Sequence, residues 1–147
     1  DHFKKVNDTY GHQIGDYVLK EVAKAIESVT RITDMTFRYG GEEFVVLMSK
    51  TDETDAQLIA ERVREFIEQM HVCTLAYPLA STRGHTATKI NVTVSIGVGT
   101  LQPKDTAIQL FERADSALYH AKSSGRNRIA KGKTSLLYDA QTRQPDG

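Results

Sequence analysis

Gly40-Gly41-Glu42-Glu43-Phe44 sets two adjacent carboxylates directly after a pair of glycines. The flanking runs, Met35-Thr36-Phe37-Arg38-Tyr39 and Val45-Val46-Leu47-Met48, are rich in residues that favour strands. Two glycines between such runs predict a tight hairpin turn, because glycine takes positive φ without steric cost. A turn bare of side chains lets a large anion approach the backbone. Acids at its rim can hold the metal ion that such an anion carries. The chemistry suggested is a nucleoside triphosphate bound with Mg²⁺. Taken alone, the five residues are better read as a surface hairpin with solvated acids; the rest of the chain reverses that weighting.

The elements that must position this turn are legible from periodicity. Gly15 to about Thr30 predicts a helix, with Val18, Leu19, Val22, Ala23, Ala25 and Ile26 on one face and Asp16 at its start. Thr54 to about Met70 predicts a second, with Ala56, Ile59, Ala60, Val63, Phe66 and Ile67 inward. His71 to Thr88 reads as a strand edge followed by a loop, and Ile90 to Val98 alternates cleanly as a strand. Thr106 to Lys122 predicts a third helix, with Ile108, Leu110, Phe111, Ala114, Ala117, Leu118 and Ala121 apolar, ended by Ser123-Ser124-Gly125. Asn127 to Ala130 reads as a short strand, and the polar tail beyond it is expected to be disordered at its end.

A chain of 147 residues is one domain by length, and 39% hydrophobic with 26% charged residues fits an ordinary globular protein. Formal net charge is zero, so no electrostatic footprint for duplex DNA or an anionic membrane exists. The single Cys73 excludes an internal disulfide and a cysteine zinc site, and reads as a small buried or half-buried apolar residue. His71, Cys73 and His85 have no metal-ligand spacing, so a plain loop is the better reading there.

Further motifs accompany the hairpin in order: Asp1-His2-Phe3-Lys4-Lys5-Val6-Asn7-Asp8, Gly11-His12 with Gly15-Asp16, Arg38-Tyr39 before the glycines, Val94-Ser95-Ile96-Gly97-Val98, and Ala114-Asp115 through Gly125-Arg126-Asn127-Arg128. With these the chain resembles the GGDEF domain of diguanylate cyclases from Asp1 to about Ala130. The resemblance implies an α+β fold: a mostly antiparallel sheet flanked by helices, similar to the palm of nucleotide cyclases and polymerases. It implies a catalytic domain over residues 1–131 and a polar tail over 132–147.

The implied reaction joins two GTP into cyclic di-GMP and two pyrophosphates. One domain holds one GTP, so two domains must face each other with two-fold symmetry. By resemblance Glu42 binds Mg²⁺ (or Mn²⁺) and is the candidate base for the 3′-hydroxyl, and Glu43 shares the metal. Asn7 and Asp16 bind guanine, whose N–H donors suit an amide and a carboxylate, with His12 nearby. Lys4, Lys122 and Arg126 meet the triphosphate, and Gly40 and Gly41 let it approach. The plain alternatives are helix capping for Asp16, a turn for Asn7, and a solvated basic face for the cations.

Arg31-Ile32-Thr33-Asp34 stands in the register of the family's Arg-x-x-Asp inhibitory site for the product, and Arg62 matches a further arginine that can complete such a site. The plain alternative for Arg31 and Asp34 is a surface ion pair. The family motif normally begins two residues before Asp1, with an acid and an apolar residue that serve the metal. The sequence is therefore expected to be a C-terminal fragment of a longer chain with an upstream sensory domain, and the fragment alone is expected to be inactive. The implied location is cytoplasmic, as such or as the cytoplasmic part of a membrane-bound sensor. The competing reading is a module that binds GTP or cyclic di-GMP without turnover, and either could serve as a dimerising scaffold for an upstream sensor.

Overall fold

The computed structural model describes residues 1–74 and 88–133. Two helices open the chain, α1 (Phe3–Tyr10) and α2 (His12–Val29), joined by Gly11 alone. Gly11 has φ 85°, a left-handed value that suits glycine, and its N–H donates to the Asn7 carbonyl at 2.8 Å. Periodicity missed α1, because the helix is only 8 residues long and buries only Val6. Its cap, His2, makes no side-chain hydrogen bond. Strands β1 (Met35–Gly40) and β2 (Glu43–Leu47) form the expected antiparallel hairpin, with Phe37 opposite Val45 and Gly40 opposite Glu43.

Helix α3 (Glu53–Gln69) starts where the Asp52 carboxylate accepts from the Asp55 N–H at 2.8 Å. It buries Ala56, Ile59, Ala60, Val63 and Ile67 but leaves Phe66 about half exposed, contrary to expectation. Strands β3 (Val72–Cys73) and β4 (Lys89–Ile90) pair antiparallel, and Cys73 is half-buried as read. Strand β5 (Ile96–Val98) pairs in parallel with β6 (Ile129–Lys131), across the connection through α4 (Ala107–Ser123). Thr106 and Gln109 close a reciprocal capping box at the start of α4. Two of the residues expected on its apolar face, Ile108 and Phe111, are exposed. The loop at 75–87, with His85, and the tail at 134–147 lie outside the described residues.

The predicted strand from Ile90 to Val98 divides into β4 and β5, and the sheet consists of three two-stranded ladders. Val92 and Val94 still pack on the core, as the alternation predicts. Residues 91–95 lack a neighbouring strand among the described residues; Asp1 reaches them instead, its carboxylate accepting from Thr93 Oγ1 at 2.9 Å and Ser95 Oγ at 2.7 Å. One core gathers Val6, Val18, Val22, Ala25, Ile26, Val63, Ile67, Val72 and Ile90. A smaller one joins Ala56 and Ala60 of α3 to Val98 of β5, and Ile96 touches both. Helix α4 sits directly on β5: a Cβ added to Gly97 would stand 2.1 Å from the Ala114 carbonyl and 2.3 Å from the Leu118 nitrogen.

Candidate active site

The acids stand where the hairpin turns. Gly41 has φ +44°, whereas Gly40 lies outside the left-handed region, so one glycine uses its freedom and not two. Open space surrounds both: nothing comes within 4 Å of a Cβ built at either. Arg38, part of the strand and of the family motif, fastens the turn. Its Nε and Nη2 donate to the Gly41 carbonyl at 3.0 and 2.7 Å. Tyr39 meets Phe111 of α4 with ring centroids 5.1 Å apart, which ties the hairpin to the helix that carries Lys122.

Lys122, in the last turn of α4, donates to the Glu43 carboxylate at 3.3 Å. Glu42 is the neighbour of Glu43 in the turn, and the Arg126 N–H donates to the Ala121 carbonyl at 3.0 Å, which sets Arg126 at the same end of α4 as Lys122. Glu42, Glu43, Lys122 and Arg126 thus converge on one edge of the molecule. Glu42 and Asp1 also border an apolar cleft lined by Phe3, Val18, Phe44 and Val92. Lys4 is not brought there; it pairs with Asp8 on its own helix at 3.0 Å, both exposed.

Asn7 and Gly15 meet at the α1–α2 junction, and Asp16 follows Gly15 in α2. A Cβ on Gly15 would stand 1.8 Å from Asn7 Oδ1, so the glycine makes room for the amide. Asn7 Oδ1 is buried without a hydrogen-bond partner. Both plain alternatives fail at this junction. Asn7 lies within α1 and not in a turn, and α2 begins at His12, so Asp16 is inside the helix rather than at its cap. Asp16 and His12 are both exposed.

Arg126 stands in a turn of three left-handed residues, Gly125 (φ 114°), Arg126 (φ 61°) and Asn127 (φ 46°). Sequence reasoning missed what holds this turn. Asp1 Oδ2 accepts from the Asn127 N–H at 3.1 Å. Asn127 Oδ1 accepts from Arg64 at 3.0 Å, and its Nδ2 donates to Glu68 at 2.7 Å. Arg64 also binds Glu61 and Glu68, contacts that raise its pKa, while Arg64 and then Asn127 hold the Glu68 carboxylate below its usual range. An i, i+3, i+4 charge pattern on α3 was the available signal, but nothing in it names Asn127.

Arg31 and Asp34 border a second cleft with Glu27, Thr30, Ile32 and Thr36. The expected alternative of an ion pair is not what forms: Asp34 Oδ2 accepts from the Arg31 backbone N–H at 2.9 Å, and Asp34 Oδ1 is buried without a partner. Arg62 is exposed on α3 and does not line this cleft. Among the described residues no three His, Cys, Asp or Glu side chains surround one point. The two adjacent carboxylates of Glu42 and Glu43 at an open turn are a donor set that fits an ion such as Mg²⁺, which takes one or two carboxylates and completes its shell with phosphate oxygens and water. No described helix is long and apolar enough to cross a membrane.

The family model described as "Diguanylate cyclase, GGDEF domain" matches residues 1–128. Diguanylate cyclase A of Treponema denticola is 44% identical over 137 residues, which are 92% of this chain and 34% of that protein. The response regulator PleD of Caulobacter vibrioides is 48% identical over 130 residues, 88% of this chain and 27% of its own length. The crystal structure of the GGDEF domain of DgcB from Caulobacter crescentus, in complex with c-di-GMP, superimposes with a TM-score of 0.78 at 34% identity, covering 89% of this chain and 72% of that one. The chain thus spans about a third or less of the length of the two curated relatives.

Proposed function

The chain belongs to the GGDEF family, and from that membership we propose that it is the GTP-condensing part of a diguanylate cyclase. Two such domains, face to face, convert two GTP into cyclic di-GMP and two pyrophosphates. The observation that carries the reading is the 3.3 Å contact between Lys122 and Glu43, which brings the acids of the hairpin turn to the end of α4 where Arg126 follows. Acids beside cations are what a metal-bound triphosphate requires.

Glu42 is the proposed base for the 3′-hydroxyl, and Glu42 and Glu43 would hold the ion. A divalent cation, when bound, supplies charge that offsets the build-up on the α-phosphate and lowers the pKa of the hydroxyl. Lys122 and Arg126 meet the phosphates, and the open space over Gly40 and Gly41 admits them. Asn7 and Asp16 bind the guanine edge with His12 beside them; the unpartnered Asn7 Oδ1 supports this, since an N–H donor from the base would satisfy it. Lys4 enters only if it leaves Asp8. Symmetry follows from the chemistry, because each hydroxyl must attack the other nucleotide's α-phosphate.

The Arg31–Asp34 cleft is proposed as the product-inhibition site, with Arg62 contributed by a neighbouring copy. The unpartnered Asp34 Oδ1 supports it. Strand β6 ends at Lys131, which supports a domain boundary there and a tail over 132–147. GTP supply favours a cytoplasmic location, and an upstream sensory segment would deliver the signal.

The test uses the full-length protein with GTP and Mg²⁺ and separates the nucleotide products by chromatography. Cyclic di-GMP from the wild type and none from Glu42→Ala supports the cyclase. Intact GTP from a protein confirmed to be dimeric replaces it with a binding module. Arg31→Ala is expected to keep turnover and lose inhibition by added product.

A further inference from the structure

We infer that Asn127, gripped by Arg64 and Glu68 of α3, is a positioning residue that fixes the direction of Arg126. The inference rests on the reading of Arg126 as a phosphate contact. Arg126 is exposed and makes no hydrogen bond or ion pair through its guanidinium among the described residues. Its backbone, by contrast, is bound on every side. The Arg126 N–H donates to the Ala121 carbonyl at 3.0 Å, and its own carbonyl accepts from Arg128 Nε at 3.0 Å. A charge left free on a fixed backbone is poised for a ligand rather than for the fold.

The fixing is not free of strain. Arg126 and Asn127 both take left-handed φ values, which a residue with a Cβ resists. Asparagine tolerates this better than most, and arginine does not. A turn of this kind persists where the surroundings over-determine it. Here Asn127 supplies three of the ties: its N–H to Asp1, its Oδ1 from Arg64, and its Nδ2 to Glu68. Arg64 is itself held, its side chain 13% exposed and its guanidinium shared between Glu61 at 2.6 Å and Glu68 at 2.7 Å. The clamp therefore runs from a packed helix, through one amide side chain, to the residue next to the free cation. Both atoms of that amide are used, so neither aspartate nor leucine can replace it unaided.

The test measures the affinity of full-length protein for GTP and for pyrophosphate, together with Tm. Asn127→Asp sets a carboxylate against Glu68 and is expected to weaken both ligands about tenfold, the scale of a lost hydrogen bond to a charged group. Adding Glu68→Gln lets the new amide on α3 donate to the new carboxylate in the turn, and affinity is expected to return to within about threefold of wild type. Arg126→Ala combined with Asn127→Asp is expected to bind no worse than Arg126→Ala alone. Glu68→Ala, at an exposed site that tolerates substitution, is expected to weaken pyrophosphate about threefold even where Asn127→Asp fails to fold. A fall in Tm with unchanged affinity for both ligands, in Asn127→Asp or in Glu68→Ala, overturns the inference and leaves the cyclase reading intact. Unchanged affinity in Arg126→Ala, or no GTP binding by the wild type, overturns the reading on which it rests.

Discussion

Glu42 and Glu43 stand on a turn with open space around it, whereas Arg126 stands on a turn tied to α3, α4 and Asp1. The hairpin is secured by its own ladder, by Arg38 on the Gly41 carbonyl and by the contact of Tyr39 with Phe111. The other half is dense: α4 lies on β5 at backbone contact through Gly97, and Arg113 grips Asp105 at 2.6 Å and the Thr100 carbonyl at 2.7 Å. A metal ion and a mobile anion can adapt to a loosely held pair of carboxylates. A phosphate arriving at an arginine gains most when the arginine is already aimed. Under the proposed function, the two halves divide adaptability and fixed aim between them.

The largest break in this contrast is chemical. Glu42→Ala is expected to lower the rate of product formation about a thousandfold, the scale of a lost general base, with Tm nearly unchanged because the turn is open. Chromatographic rates on the full-length protein check it. Next, Gly97→Ala forces a Cβ against the backbone of α4 and is expected to cost about 3 kcal/mol, while Gly40→Ala, in open space, is expected to cost under about 0.5 kcal/mol. Urea unfolding of the two variants compares the halves directly, and equal losses would erase the distinction.

A smaller effect is expected from Arg38→Ala. It frees the Gly41 carbonyl and is expected to weaken divalent-ion affinity about fivefold through a looser turn. Titration of the ion in the presence of GTP measures it. The Arg113 guanidinium, and then the Gln102 N–H, hold the Asp105 carboxylate below its ordinary value of 3.8. Its folded-state pKa is depressed, so its stabilisation is present above that value and is lost as pH falls through the lowered one. Arg113→Leu is expected to flatten this acid limb in pH-dependent unfolding. Least of all, Lys131→Ala breaks an exposed pair with Glu53 and is expected to cost no more than about 0.5 kcal/mol.

What could be read in the sequence follows the range of the forces involved. The hairpin, α3 and α4 were legible because their patterns are local: glycines between β-rich runs, and apolar residues at helical spacing. Helix α1 was not, since one buried valine carries no period. The strand at Ile90–Val98 was half right, because alternation reports which side chains face the core and not whether a neighbouring strand exists. At the site, Glu42, Glu43 and Lys122 stand out by residue chemistry and by the family resemblance, and the structure brings Glu43 and Lys122 to 3.3 Å of each other. The ties of Asn127 to Arg64, Glu68 and Asp1 span 59 to 126 positions and could not be read in this way. Exposure of Ile108, Phe111 and Phe66 was equally hidden, because periodicity cannot tell how wide a helix's buried stripe is.

The left-handed turn at Arg126 and Asn127 also bears on how this chain can change over time. Glycine at either position would relax the backbone, and at Arg126 it would remove nothing that the fold uses. At Asn127 glycine would also cut the ties to Arg64 and Glu68, so stability favours asparagine there. Selection for stability alone therefore pulls only position 126 toward glycine, and selection for ligand binding would be what holds arginine in place. A duplicated copy released from that second pressure would be expected to lose Arg126 early, while Asn127 and the core persist.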